Sequence, residues 1–120
     1  MPLYHATWRE RLPAIRREGI RADVATKNHS CENGVYLADS PLAAAYFLIE
    51  AYVQRGRAVS DPAERASAIV IIVVDDARFD RSALEPDPGF TYPVFRTFVH
   101  PGRIDVRNAT IIGVNDLLER

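Results

Sequence analysis

Seven consecutive residues, Ala68-Ile69-Val70-Ile71-Ile72-Val73-Val74, constrain this chain more than any other stretch. Valine and isoleucine are stiff at χ1 and suit a pleated surface better than a helix. The run does not alternate with polar residues, so both faces of the strand it predicts need apolar cover, as in a central strand. Asp75 and Asp76 end it. The remaining segments must therefore supply a layer on each side and neighbours on both edges.

Two segments have the period of helices. Trp8, Leu12 and Ile15 recur at spacings of four and three over Trp8 to Glu18, which defines one helical face. Pro13 suits the start of the regular helix, with a turn before it. Gly19 suits its C-terminal stop, with Ile20 packing back on the last turn. The second helix runs from about Pro41 to Gln54, with Ser40 as N-cap, Pro41 at the first helical position and Gly56 closing it. Its apolar residues form two stripes, Leu42, Tyr46, Ile49 and Val53 on one side and Ala44, Phe47 or Leu48, and Ala51 on another. That pattern predicts burial from two sides.

Pro2 to His5, Val35 to Ala38, Val94 to His100 and Asn108 to Val114 read as further strands. Arg103 to Arg107 would form a turn before the last of them. Arg21 to Asn33 and Arg55 to Ala66 read as loops, and Arg78 to Pro93, with three prolines and one glycine in its second half, reads as mostly loop. The order is β-α-β-α-β-loop-β-β, with helices early and strands late. It predicts an α+β fold in one domain spanning residues 1–120.

Composition removes several classes of function. The formal net charge is −1, so no overall field draws the chain to nucleic acid or an anionic membrane. A locally basic N-terminal part (Arg9, Arg11, Arg16, Arg17, Arg21, Lys27) suits either a solvated helix face or an anionic ligand. The lone cysteine, Cys31, cannot form an internal disulfide. There is no apolar run long enough to cross a membrane, and the N-terminus lacks a secretory pattern, so a cytoplasmic protein with no membrane contact is expected. His5, His29 and His100 share no ligand spacing with one another or with a carboxylate, which predicts no metal. A pair such as His5 and His100 acting as acid and base on RNA is a possibility that spacing alone does not develop. No glycine-rich phosphate loop or Gly-x-Ser-x-Gly elbow occurs.

One ordered constellation is left. Tyr4-His5-Ala6-Thr7 leaves the first strand, a helix of the form Leu-Pro-x-Ile-x-x-x-Gly-Ile follows, and then comes Gly34-Val35-Tyr36-Leu37-Ala38-Asp39-Ser40, leading into Ala43-Ala44-Ala45-Tyr46-Phe47. This resembles the ADP-ribosyltransferase superfamily, in the branch related to poly(ADP-ribose) polymerases and diphtheria toxin. Members show His-Gly-Thr on the first strand and Gly-[Ile/Val]-Tyr-[Phe/Leu]-Ala-Asp before a Ser- and Ala-rich helix ending in an aromatic. The likeness covers roughly the first 55 residues closely and the remainder by strand order alone.

The resemblance implies a split β-sheet core and a pocket for NAD, used as a substrate without a metal. His5 would bond the ribose beside the nicotinamide, Ala6 would hold the carboxamide through its backbone in place of the family's glycine, and Thr7 keeps the family type. Tyr36 and Phe47 would stack on the nicotinamide, a flat cation that aromatic faces attract by about 0.5–2 kcal/mol. Ala44 stands where many relatives have a serine that bonds the carboxamide, and Arg21 would meet the pyrophosphate. Aligning Pro101-Gly102-Arg103-Ile104 with the family's similar ending puts Thr97 where the ribose-bonding, acceptor-activating glutamate would stand.

A threonine cannot serve as a carboxylate base, and a positioned base is worth about 10²–10⁴ in rate. The expectations are accordingly a mono-ADP-ribosyltransferase that releases nicotinamide, by substrate assistance or with another acid such as Asp105 or Glu85, or else a module of the same fold that binds NAD or ADP-ribose without turnover. An RNA 2′-phosphotransferase-like enzyme of the same ancestry is a further alternative. The acceptor, whether protein, nucleic acid or small molecule, is not legible.

Overall fold

The computed structural model describes residues 2–20, 35–54, 68–86 and 97–114. The apolar run forms a strand over Ile69–Val74, and it is flanked on both edges. Strand β1 (Leu3–Trp8) pairs antiparallel along its whole length, from Leu3 opposite Val74 to Trp8 opposite Ile69. In chain order the other elements are α1 (Leu12–Glu18), β2 (Val35–Ala38), α2 (Pro41–Gln54), the apolar strand as β3, β4 (Glu85–Pro86), β5 (Thr97–His100) and β6 (Ile111–Gly113). The strands make one sheet in the order β4-β5-β2-β1-β3-β6, every pair antiparallel. The fold class is α+β.

Each face of the sheet has its own core. Leu3, Val35, Leu37, Val70, Ile72 and Val74 pack with Leu12 and Ile20 from the α1 side and with Ile104 and Val106. Tyr4, Ala6, Trp8, Ala38, Ile69 and Ile71 pack with Ala43, Ala44 and Ala45 of α2. Ile69, Ile71 and Ile72 are wholly buried, as a strand covered on both faces requires.

Two sequence expectations change here. The first strand does not stop at His5 but runs to Trp8, so Trp8 is not the first turn of the helix. Opposite Ile69, it packs on the α2 face, while Leu12 packs on the α1 face. A three-residue 3₁₀ turn, Arg9–Arg11, separates the two. The second change concerns α2. Ala43, Ala44 and Ala45 press on the sheet, whereas Leu42 and Tyr46 are 49% and 54% exposed, so these two residues of their stripe face outward while Ile49 packs inward. A run of alanines lets a helix lie close on a sheet, and that outweighs the larger residues in choosing the buried side.

Elsewhere the reading holds closely. Helix α1 ends at Gly19, whose φ is 81° and whose N–H donates to the Ile15 carbonyl. Ile20 then forms a two-way backbone bridge with Ile104. The last strand is shorter than expected, because Asn108 takes a left-handed turn (φ 63°) and β6 begins only at Ile111. The expected loops over Arg21 to Asn33 and Arg55 to Ala66, the Gly56 helix stop and the start of the predicted strand at 94–96 lie outside the described residues.

Candidate active site

Antiparallel neighbours ordinarily exchange backbone hydrogen bonds along their shared length. Strands β1 and β2 are registered at a single pair, Tyr4 opposite Ala38. Beyond it, the imidazole of His5 takes the place of a ladder bond. Its Nδ1–H donates to the backbone carbonyl of Tyr36, at 2.9 Å across 31 positions of sequence. A carbonyl can only accept, so Nδ1 carries the hydrogen and Nε2 keeps its lone pair in the neutral ring. Burial holds the His5 pKa below its ordinary value of 6.5, with the carbonyl bond acting weakly in the other direction. The two motif halves, Tyr-His-x-Thr and Gly-Val-Tyr-Leu-Ala-Asp, therefore meet where the sheet's ladder is interrupted.

Alternation along the strands sorts the candidate residues by face. Leu3, His5 and Thr7 belong to the α1 face, and Thr7 is buried there. Tyr4 and Ala6 belong to the α2 face, with Ala44 in the same cluster. Tyr36 and Ala38 share that face, because Val35 and Leu37 lie on the other. Thr97 stands directly opposite Ala38, and Val99 directly opposite Tyr36. Ala6, Tyr36, Ala44 and Thr97 are thus gathered on one side of the sheet, and His5, on the other side, meets this set at the Tyr36 backbone carbonyl. Phe47 is a residue of α2 whose side chain is outside the described set, and Arg21 lies outside the described residues altogether.

Thr97 is only 8% exposed, and its Oγ1 is buried without a hydrogen-bond partner among the described residues. A buried, unpaired hydroxyl costs about 1–3 kcal/mol, so it marks a point where a polar group from elsewhere would be welcome. Thr97 and Tyr36 are diagonal neighbours on β5 and β2, with Cα atoms about 7–8 Å apart and within reach of an aromatic side chain.

The two alternative acids separate clearly. Asp105 lies in the segment between Ile104 and Val106 of the α1 face. Its carboxylate is held by Arg107, at 2.9 Å from the terminal guanidinium nitrogen and 3.2 Å from Nε, and these bonds hold its pKa at about 2. Glu85 is on the other side of the sheet. It faces Val99, which faces Tyr36, so all three share a row on the α2 face. The strand that carries it has two residues, too few to show a period, and Pro86 argued for a loop. Its place at the sheet edge is where a proline is tolerated.

His100, the other candidate for an acid–base pair, is on β5 with β2 between it and β1. Its ring stands edge-on to Phe79 at 6.4 Å, and its Nδ1 is 2.9 Å from the Gly102 carbonyl. The two histidines therefore serve separate local structures. Among the described residues no three His, Cys, Asp or Glu side chains gather as metal ligands. No helix among them is long and apolar enough to cross a membrane.

Comparison with family models, with curated proteins and with solved structures finds no match. The geometry of the seam and the residues around it are therefore what bears on function.

Proposed function

We propose that this chain is an NAD-dependent mono-ADP-ribosyltransferase, transferring a single ADP-ribose to an acceptor with release of nicotinamide. The observation that carries the reading is the His5–Tyr36 bond at the interrupted ladder. It joins the two motifs on which the resemblance to ADP-ribosyltransferases rests. It also supports a split-sheet pocket, since a seam that two strands leave unpaired is where a flat ligand can enter against backbone groups.

In this reading the nicotinamide ring lies against Tyr36, with Phe47 as the second face. The Ala6 backbone holds the carboxamide end. The Nε2 lone pair of His5 accepts a hydrogen bond from a ribose hydroxyl, and Arg21 meets the pyrophosphate. As the bond between nicotinamide and ribose lengthens, positive charge leaves the ring for the sugar. An aromatic face favours the cationic ring of the ground state, so Tyr36 contributes mainly to binding and orientation. Calorimetry tests the reading. NAD binds the native chain and binds at least tenfold more weakly to His5→Asn, about the worth of one hydrogen bond to a buried group. An absence of NAD binding at millimolar concentration rules the reading out.

A second reading rests on Thr97. A neutral hydroxyl in place of a carboxylate suits a module that binds NAD or ADP-ribose and does not turn it over. Incubation with isotopically labelled NAD separates the two, because only the transferase releases nicotinamide.

A further inference from the structure

The proposed reaction needs a group that takes a proton from the acceptor, and the residues of the pocket wall named so far provide none. Tyr36 and Thr97 are neutral hydroxyl groups at ordinary pH, and Ala6 and Ala44 carry no polar side chain. His5 has its Nε2 committed to the sugar in this reading. Of the described strand residues on the α2 face, Glu85 alone is a carboxylate. It is exposed at the rim, on β4 next to β5.

Its position relative to the pocket follows from the register. Glu85 is directly opposite Val99, and Thr97 is two residues from Val99 on the same face, so Glu85 and Thr97 are diagonal neighbours. Their Cα atoms are about 7–8 Å apart, and Tyr36 stands about 10 Å from Glu85, two strand spacings along one row. An extended glutamate side chain covers roughly half of that interval. Val99 stands directly between the two, and Thr97, two residues along β5 and diagonal to both, carries the buried, unpartnered Oγ1 that independently marks a point where a polar ligand group is wanted.

We propose that Glu85 is the general base of the site, supplying from β4 the carboxylate that β5 lacks at Thr97. The inference rests on the transferase reading. With water as the simplest acceptor, the C1′–N bond of NAD breaks and its electron pair leaves with neutral nicotinamide. The water oxygen bonds to C1′, and the water proton passes to the Glu85 carboxylate and from there to solvent. The products are ADP-ribose, nicotinamide and one proton. Asp105 cannot take this part, because it lies with the opposite face and is held by Arg107.

The test follows nicotinamide release from NAD in water, with NAD affinity measured alongside by calorimetry. Glu85→Gln should leave NAD affinity within about twofold and the melting temperature unchanged, while the rate falls by about 10²–10⁴. Glu85→Asp should keep part of the rate, and Asp105→Asn all of it. Native activity with an equal rate in Glu85→Gln overturns the assignment and leaves the transferase reading standing. NAD binding with no nicotinamide release by the native chain overturns both the assignment and the catalytic reading. An absence of NAD binding removes the site altogether.

Discussion

His5 is half-buried, donates to the Tyr36 carbonyl and is kept neutral by desolvation. Its folded pKa lies below the ordinary 6.5, so the unfolded chain binds the proton more readily. The linkage then has a definite sign: this contribution to stability is whole above pH 6.5 and is lost as pH falls towards the lowered folded value. Urea unfolding at a series of pH values should show stability decreasing below pH 6.5. His5→Asn, whose amide N–H can replace the Nδ1 donor without titrating, should flatten that decline. An unchanged slope in the variant assigns the pH dependence to other groups. Thr97 makes the complementary case. Replacing it with valine removes an unpaired buried hydroxyl at nearly constant shape, so stability should hold or rise by up to about 1–2 kcal/mol. NAD affinity should fall about tenfold for the lost hydrogen bond, and Thr97→Ser should recover most of it. A clear drop in the melting temperature of Thr97→Val would show that the hydroxyl serves the apo fold instead.

Among the elements, α1 shows how a short helix is fixed by its ends. Seven residues are marginal by propensity alone, and the stop at Gly19 ties the helix to the rest of the core. With φ at 81° and ψ at 175°, Gly19 occupies a region that is essentially closed to other residues. A Cβ there would meet the Ile104 carbonyl oxygen at 2.7 Å, against the very bridge that Ile20 makes with Ile104. Gly19→Ala should therefore cost about 2–3 kcal/mol, read as a lower urea midpoint, and an unchanged midpoint would mean that the bridge is dispensable. The glycine stop was plain in the sequence because punctuation residues act locally. The faces of α2 were not. Its apolar residues encircle the helix, so periodicity could not say which side the sheet would claim. The close fit of Ala43, Ala44 and Ala45 decided it and turned Leu42 and Tyr46 outward. Trp8 was misplaced for a related reason: a spacing of four to Leu12 satisfies a helix, yet the pairing with Ile69 kept Trp8 in the sheet.

In the molecule as a whole, strand order was what the sequence concealed. The run Ile69–Val74 announced a covered strand, and the helices early with strands late announced α+β. Neither says that β2 lies between β1 and β5, or that β1 and β2 register at Tyr4 and Ala38 alone. His5 and Tyr36 stood out in the sequence only through the resemblance, with separate roles, and the bond from the His5 ring to the Tyr36 carbonyl follows from the fold. The common face of Tyr36, Thr97 and Glu85 was not legible, since it follows from the registers of β2, β5 and β4 taken together. A site drawn from strands this far apart in sequence exists only when the sheet is assembled, so a ligand that fills it binds the folded state and not the unfolded chain. At a hundred times its dissociation constant, NAD should add about 2.7 kcal/mol to stability, a rise of roughly 10 °C in melting temperature for a domain of this size. The same NAD concentration should raise the melting temperature of His5→Asn by a clearly smaller amount, because its affinity is lower. Equal rises in the native chain and His5→Asn would place NAD elsewhere on the molecule and separate the interrupted β1–β2 ladder from its proposed role.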